Sequence, residues 1–154
     1  MNSPDHDAYA DDILEEALGI LYRRLQEPGA VITNYAVLHQ YIVSEYALLE
    51  NEQFGCMFLD NAYRLINHKK LFRGTINQCA TYPREIVREA LLQNAVFVIL
   101  IHNHPSMNPT PSKEDINMTS KLKEILTVVD IALFDHIIVA GSNLFSMREE
   151  GLLV

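Results

Sequence analysis

The chain has 154 residues, of which 49% are apolar, and a formal net charge of -8. This length and apolar content predict one globular domain with its own core. The acidic balance favours weak or no nucleic-acid binding, because affinity for phosphate depends on Lys and Arg. No apolar run approaches the length of a membrane span, and Met1 to Asp7 is polar, so we expect a cytoplasmic protein with no membrane partner.

The N-terminal third predicts two helices. Apolar residues recur at helical spacing from Asp11 to about Gln26, where Pro28-Gly29 ends the pattern, and a second helix is predicted from about Asn34 to Tyr46. We expect this N-terminal helical segment, residues 1–48, to pack on the domain formed by residues 49–154. The first helix has the alternative of meeting a partner chain. Its apolar positions are Ile13, Leu14, Ala17, Leu18, Leu21 and Leu25.

The rest of the chain alternates strand and helix patterns. The predicted strands are Phe54 to Leu59, Tyr63 to Phe72, Val96 to Ile101, Ile131 to Phe134 and Ile137 to Ala140. Gly141-Ser142-Asn143 then turns the chain into Leu144-Phe145-Ser146. One helix begins near Pro83, with Ile86, Val87, Ala90 and Leu91 inward, and another runs from Ser112 to about Leu126. Thr75 to Thr81 reads as irregular. The fold class predicted is α/β with a mixed sheet.

His102 and His104 follow the most apolar predicted strand. Residues i and i+2 of an extended chain point to the same face, so both imidazoles can converge on one divalent metal. Seven residues, Pro105 to Pro111, then lead to Ser112 and Asp115. With Asp115 as third ligand, the set leaves a position for water, which is typical of catalytic rather than structural zinc.

Two simpler interpretations compete with this site. The histidines can be hydrogen-bonded core residues, and Ser112 to Asp115 is also a helix start with a capping serine. The capping and ligand roles are compatible. We read His6, His39 and His68 as ordinary surface or helix residues, and Cys56 and Cys79 as free thiols, because none has a partner at metal-ligand spacing.

The pattern His102-Asn103-His104, seven residues, Ser112, two residues, Asp115 resembles the JAMM motif of MPN-domain metallopeptidases. The flanking segments resemble the RadC-like branch of that family, in the short form found on mobile elements, and the resemblance extends over roughly residues 50 to 147. These segments are Glu52-Gln53-Phe54, Phe58-Leu59-Asp60, Gly74-Thr75-Ile76-Asn77, Pro83-Arg84-Glu85, His102-Asn103-His104-Pro105-Ser106, Pro109-Thr110-Pro111-Ser112 and Asp135-His136-Ile137-Ile138-Val139.

The resemblance implies a mixed sheet flanked by helices, the MPN/JAB architecture, which is cytidine-deaminase-like. It also implies a zinc-dependent peptidase or isopeptidase acting on a peptide or protein amide through a zinc-bound water. Glu52 is then the general base, with Glu85 in reserve, and Ser112 stabilises the oxyanion. Asp135 or His136 would orient a ligand imidazole by contacting it on the side away from the metal.

This sequence departs from the RadC-like pattern at two positions. Met107 stands where Gly is common, which predicts that this position does not need a positive φ or that Asn108 adopts it. Tyr82 stands where His is common, and the chain has too few residues before Glu52 for a helix-hairpin-helix module.

Two other functions remain open: a zinc-containing binding module without turnover, and an accessory role in DNA repair. A zinc deaminase is excluded, because the His-x-Glu and Pro-Cys-x-x-Cys signatures are absent.

Overall fold

A five-stranded sheet with the order β2-β1-β3-β4-β5 organises the computed structural model, which describes residues 4–74 and 82–153. Its strands are β1 (Gln53–Leu59), β2 (Leu65–Arg73), β3 (Phe97–Asn103), β4 (Ala132–Ala140) and β5 (Asn143–Ser146). The helices are α1 (Pro4–Leu25), α2 (Ala30–Thr33), α3 (Tyr35–Tyr46), α4 (Tyr82–Leu92) and α5 (Lys113–Val128). The predictions for Thr75 to Thr81 and for Cys79 lie outside the described residues.

The sheet is mixed, as predicted. β1 pairs antiparallel with β2 and β3, β3 pairs parallel with β4, and β4 pairs antiparallel with β5. α5 makes the crossover between the two parallel strands, which is the connection that parallel pairing requires.

Both faces of the sheet are covered by helices, so β3 at its centre is buried almost throughout. One core cluster contains Leu100 and Ile138 with residues of α4 and α5. The other contains Ile99 and Ile137 with residues of α1 and α3. Successive residues of β3 alternate between the two clusters, which is the period expected of strands, and those of β4 do so on each side of an irregularity between Leu133 and Asp135.

Position 55 in β1 requires glycine, because the backbone of β2 and the side chain of Tyr46 approach it too closely for a Cβ atom. A Cβ atom there would lie 2.8 Å from the backbone carbonyl of Lys69 and against the Tyr46 hydroxyl. Tyr46 is fully buried beside the strand, and its hydroxyl lies 2.6 Å from Nε2 of His68. Nδ1 of the same ring lies 3.0 Å from the Tyr41 hydroxyl, so His68 is a partly buried bridge between two helical tyrosines. The prediction of an ordinary surface histidine is therefore wrong.

Several predicted elements need correction. α1 begins at Pro4 instead of Asp11, and its residues Ile13 and Leu14 are exposed. Leu91, predicted to face inward from α4, is also exposed. The two strands predicted on either side of Asp135-His136 are one strand, β4, because these polar side chains find buried hydrogen-bond partners.

In the described part of the chain, none of the helices combines the length and apolar character needed to cross a bilayer.

Candidate metal centre

The candidate site lies at the end of β3. There His102 is paired with Phe54 of β1 on one side and Ile138 of β4 on the other, and it is completely buried. The backbone remains hydrogen-bonded to β4 one residue beyond the end of β3, since the His104 N–H donates to the Val139 carbonyl over 2.8 Å. The two imidazoles converge as predicted, with 2.9 Å between their Nε2 atoms.

Asp115 reaches the same point from the first turn of α5. Its Oδ1 lies 3.4 Å from Nε2 of His102, and its Oδ2 lies 3.2 Å from Nε2 of His104. Oδ2 also accepts from the Ser112 backbone N–H, while the Ser112 hydroxyl accepts from the Asp115 N–H, which completes a capping box. One carboxylate therefore caps the helix and faces both histidines.

Charge in the site is strongly coupled. Burial opposes ionisation of Asp115, but hydrogen bonds from the His102 and His104 rings in their protonated forms hold its pKa well below the usual range. The hydrogen bond to Asp115 in turn raises the pKa of His104. The two pKa shifts thus favour an ionised Asp115 carboxylate and a positive charge between that carboxylate and the imidazoles.

Glu52 enters from the opposite side, one residue before β1. Its Oε1 lies 3.7 Å from Nε2 of His102, and ligand atoms of Glu52, His102 and His104 all lie within 4.8 Å of one another. Burial raises the pKa of Glu52. A carboxylate at this position has the chemistry of either a metal ligand or a proton acceptor.

A chain of hydrogen bonds behind His102 determines which of its nitrogens carries the proton. The Thr119 hydroxyl donates to the Asp115 backbone carbonyl over 2.6 Å, so its oxygen is left to accept from Nδ1 of His136, also at 2.6 Å. Burial lowers the pKa of His136, so the ring is neutral and its Nε2 carries a lone pair. That lone pair accepts from Nδ1 of His102 over 2.7 Å, which leaves Nε2 of His102 without a hydrogen.

The same reasoning applies to His104. Its Nδ1 lies 2.8 Å from the backbone carbonyl of Asn108, and a carbonyl only accepts, so Nδ1 carries the hydrogen. The neutral His104 ring therefore also presents a bare Nε2 lone pair.

When both rings are neutral, three acceptors face one another: the two Nε2 atoms and the Asp115 carboxylate. Without a proton or a metal ion between them, their lone pairs and negative charge would repel each other. Two imidazole nitrogens and a carboxylate suit a divalent transition metal, and tetrahedral zinc bonds of about 2.0–2.1 Å imply ligand separations of about 3.3 Å. The separations are close to that value: 2.9 Å between the two Nε2 atoms, 3.4 Å from His102 to Oδ1 of Asp115 and 3.2 Å from His104 to its Oδ2.

Sequence reasoning missed two residues of the site. Thr119 lies four positions after Asp115 in α5, so helical spacing was a signal that could have found it. Asn103 accepts from the Gln53 backbone N–H over 2.7 Å and donates to the Asn51 carbonyl over 3.1 Å. These bonds tie the segment around Glu52 to the end of β3, and no sequence pattern indicates them.

Of the two residues predicted as alternatives for holding a ligand imidazole, His136 is the one that contacts His102. Asp135 lies on the other face of β4, and its carboxylate accepts from the Ser146 hydroxyl and the Arg148 backbone N–H. The prediction for Met107 needs correction. Met107 itself adopts the positive φ, 66°, that was predicted to be unnecessary or to fall on Asn108. The reserve base, Glu85, is in the first turn of α4, 3.7 Å from Arg88.

Comparison with known proteins agrees with this geometry. The family model of the RadC-like JAB domain matches residues 32–152. The chain belongs to the RadC-like JAB domain family. The match includes His102, His104, Ser112 and Asp115, and it begins before α3.

Relatives of similar length support the assignment. The chain is 44% identical over 141 residues to UPF0758 protein YkfG of Escherichia coli K12, covering 92% of this chain and 89% of that protein. It is 43% identical over 141 residues to UPF0758 protein YeeS of the same strain, covering 92% and 95%. A UPF0758 protein of Vibrio cholerae serotype O1 is 43% identical over 146 residues, covering 95% and 91%.

Proposed function

We propose that the protein is a zinc-dependent hydrolase of peptide or protein amide bonds, a peptidase or isopeptidase, with His102, His104 and Asp115 as metal ligands. The observation that carries the proposal is the meeting of the Asp115 carboxylate with two imidazole Nε2 atoms, in rings whose Nδ1 hydrogens are committed elsewhere. Membership of the RadC-like JAB family supports it.

Each remaining group has a role in the proposed reaction. Zinc in this position would supply the Lewis acidity that activates a water molecule. Glu52 accepts the proton of that water and returns it to the leaving nitrogen, a role that a carboxylate with a raised pKa suits. The Ser112 oxygen accepts from the Asp115 N–H, so its own hydrogen is available to donate to the substrate carbonyl.

His136 and Thr119 act in this scheme as positioning residues. By committing Nδ1 of His102 to a donated hydrogen bond, they present Nε2 to the metal in the correct tautomer. The backbone carbonyl of Asn108 has the same role for His104.

Glu52→Gln tests the proposed base. The amide keeps the size of the side chain but does not accept the proton, so zinc content should be retained while any amide hydrolysis falls at least about 100-fold. Glu85→Gln is the matched control, because Glu85 lies on α4 next to Arg88, and it should have little effect. Loss of hydrolysis in Glu85→Gln, with none in Glu52→Gln, would contradict the assignment.

A second candidate is a zinc-containing binding module without turnover. The proximity of Glu52 to His102 favours it, because Glu52 as a fourth ligand would close the coordination sphere, as in structural zinc sites. In that case Glu52→Gln should weaken zinc binding. A broad panel of amide substrates, assayed with and without a chelator, should also give no zinc-dependent hydrolysis.

A further inference from the structure

α1 packs on the domain only through its C-terminal third. Leu25 is buried and Leu18, Leu21 and Tyr22 are partly buried, but every side chain from Asp7 to Ala17 is exposed. At 1.5 Å per residue, these eleven positions project roughly 16 Å of helix away from the domain. A helical segment of this length is marginally stable in water by itself.

The projecting part carries an apolar stripe. Tyr9, Ile13, Ala17 and Ile20 follow one another at intervals of four, four and three residues, so they share one face of the helix. Tyr9 is 67% exposed, Ile13 51% and Ile20 39%. A continuous apolar stripe on a helix is the usual signature of a surface that packs against another helix.

The charges of α1 identify that other helix. The first two thirds contain acidic residues and no Lys or Arg, whereas the last turn contains Arg23 and Arg24. A second copy aligned in parallel would place acidic residues against acidic residues. An antiparallel copy would place the acidic half of each helix beside the two arginines of the other. The acidic residues among positions 7–17 are Asp7, Asp11, Asp12, Glu15 and Glu16.

We propose that two copies of this chain associate through an antiparallel pairing of α1. The apolar stripes pack against each other, and the acidic half of each helix lies level with Arg23 and Arg24 of the other copy. The surface is complementary to itself under a two-fold rotation, which a symmetric dimer interface requires.

Light scattering during size-exclusion chromatography of the full chain tests the association. The wild type should elute with the mass of a dimer, and Ile13→Glu should elute as a monomer with unchanged circular dichroism, because Ile13 is exposed in the single chain. Leu92→Glu is the control: Leu92, on α4, is 67% exposed, and its variant should remain dimeric. A monomeric wild type, or a dimeric Ile13→Glu, would overturn the proposal. The distribution of charge along α1 would then be explained by its interaction with the helix dipole alone.

Cross-linking tests the orientation. In an antiparallel pair centred on the apolar stripe, positions 9 and 20 of different copies are neighbours, while two copies of position 9 lie roughly 16 Å apart, the length of eleven helical residues. In a Cys79→Ser background, a short bis-maleimide should join Tyr9→Cys protein to Ile20→Cys protein in a mixture. Efficient linking of Tyr9→Cys protein to itself would mean a parallel pair and would refute the proposed orientation.

Discussion

Thr119 is the residue on which the tautomer of His102 depends. Replacing its hydroxyl by a methyl group in Thr119→Val leaves Nδ1 of His136 without its acceptor and frees that ring to change tautomer. We expect zinc affinity to fall about 10-fold or more, since loss of a group that orients a metal ligand typically costs that much. Competition with a chromogenic chelator measures the change.

Thr127→Val is the matched control for Thr119→Val. Thr127 is on the same helix, and its hydroxyl makes the same kind of bond, to the Lys123 carbonyl over 2.7 Å, on an exposed surface. Zinc affinity should be unchanged in this variant. Equal affinities in both variants would rule out the proposed role of Thr119, and the imidazole nitrogen shifts of His102 and His136 would report the tautomers directly.

Met107 holds a left-handed backbone conformation in the loop between the ligands. This conformation costs an L-residue about 1–2 kcal/mol, and the side chain, 63% exposed, recovers little by packing. Met107→Gly should therefore stabilise the fold by up to about 1 kcal/mol, after the greater unfolded-state entropy of Gly is counted. Chemical denaturation measures the gain. Ser106→Gly is the control, at a neighbouring position without a positive φ, and it should destabilise the fold slightly. A loss of stability in Met107→Gly would show that the loop needs the Met107 side chain.

At the scale of elements, the bridge formed by His68 between β2 and α3 gives the fold a pH dependence. Burial lowers the pKa of His68 to about 4, against 6.5 when unfolded. Between these values the unfolded chain binds a proton that the folded chain does not, so stability is complete above pH 6.5 and falls as the pH drops toward 4. The loss is at most about 3 kcal/mol.

Denaturant unfolding of His68→Gln at pH 7 and pH 4.5 tests this contribution. The difference in stability between the two pH values should be smaller than in the wild type. His39→Gln, which changes a partly exposed histidine on α3 bonded to the Ser142 carbonyl, should keep the wild-type difference. An undiminished difference in His68→Gln would assign the pH dependence to other groups.

The order of the elements and the convergence of His102 and His104 followed from periodicity and spacing, because both are local properties of the chain. The errors arose where the partner is distant in sequence. Asp135 and His136 resemble a break between strands until Ser146 and Thr119 are known to satisfy them. The bridge at His68 depends on tyrosines more than twenty positions away.

At the scale of the whole molecule, charge limits the range of partners. With a net charge of -8, affinity for duplex DNA should be no tighter than about 1 µM at physiological salt. The lysines of the edge strand β2 are already paired, Lys69 with Glu89 at 3.1 Å and Lys70 with Glu45 at 2.9 Å. Fluorescence titration of labelled duplex measures the constant, and tight binding to a defined sequence would revive a role in DNA repair.

The most direct test of the proposed metal centre is the zinc content of purified protein, measured by mass spectrometry of the metal for the wild type, His104→Ala and His39→Ala. In His104→Ala only two of the three proposed ligands remain, and two do not hold the metal alone, whereas His39 is partly exposed on α3 and contacts the Ser142 carbonyl. We expect about one zinc per chain in the wild type and in His39→Ala, and none in His104→Ala. Stoichiometric zinc in His104→Ala would contradict the assignment of His102, His104 and Asp115 as the zinc ligands.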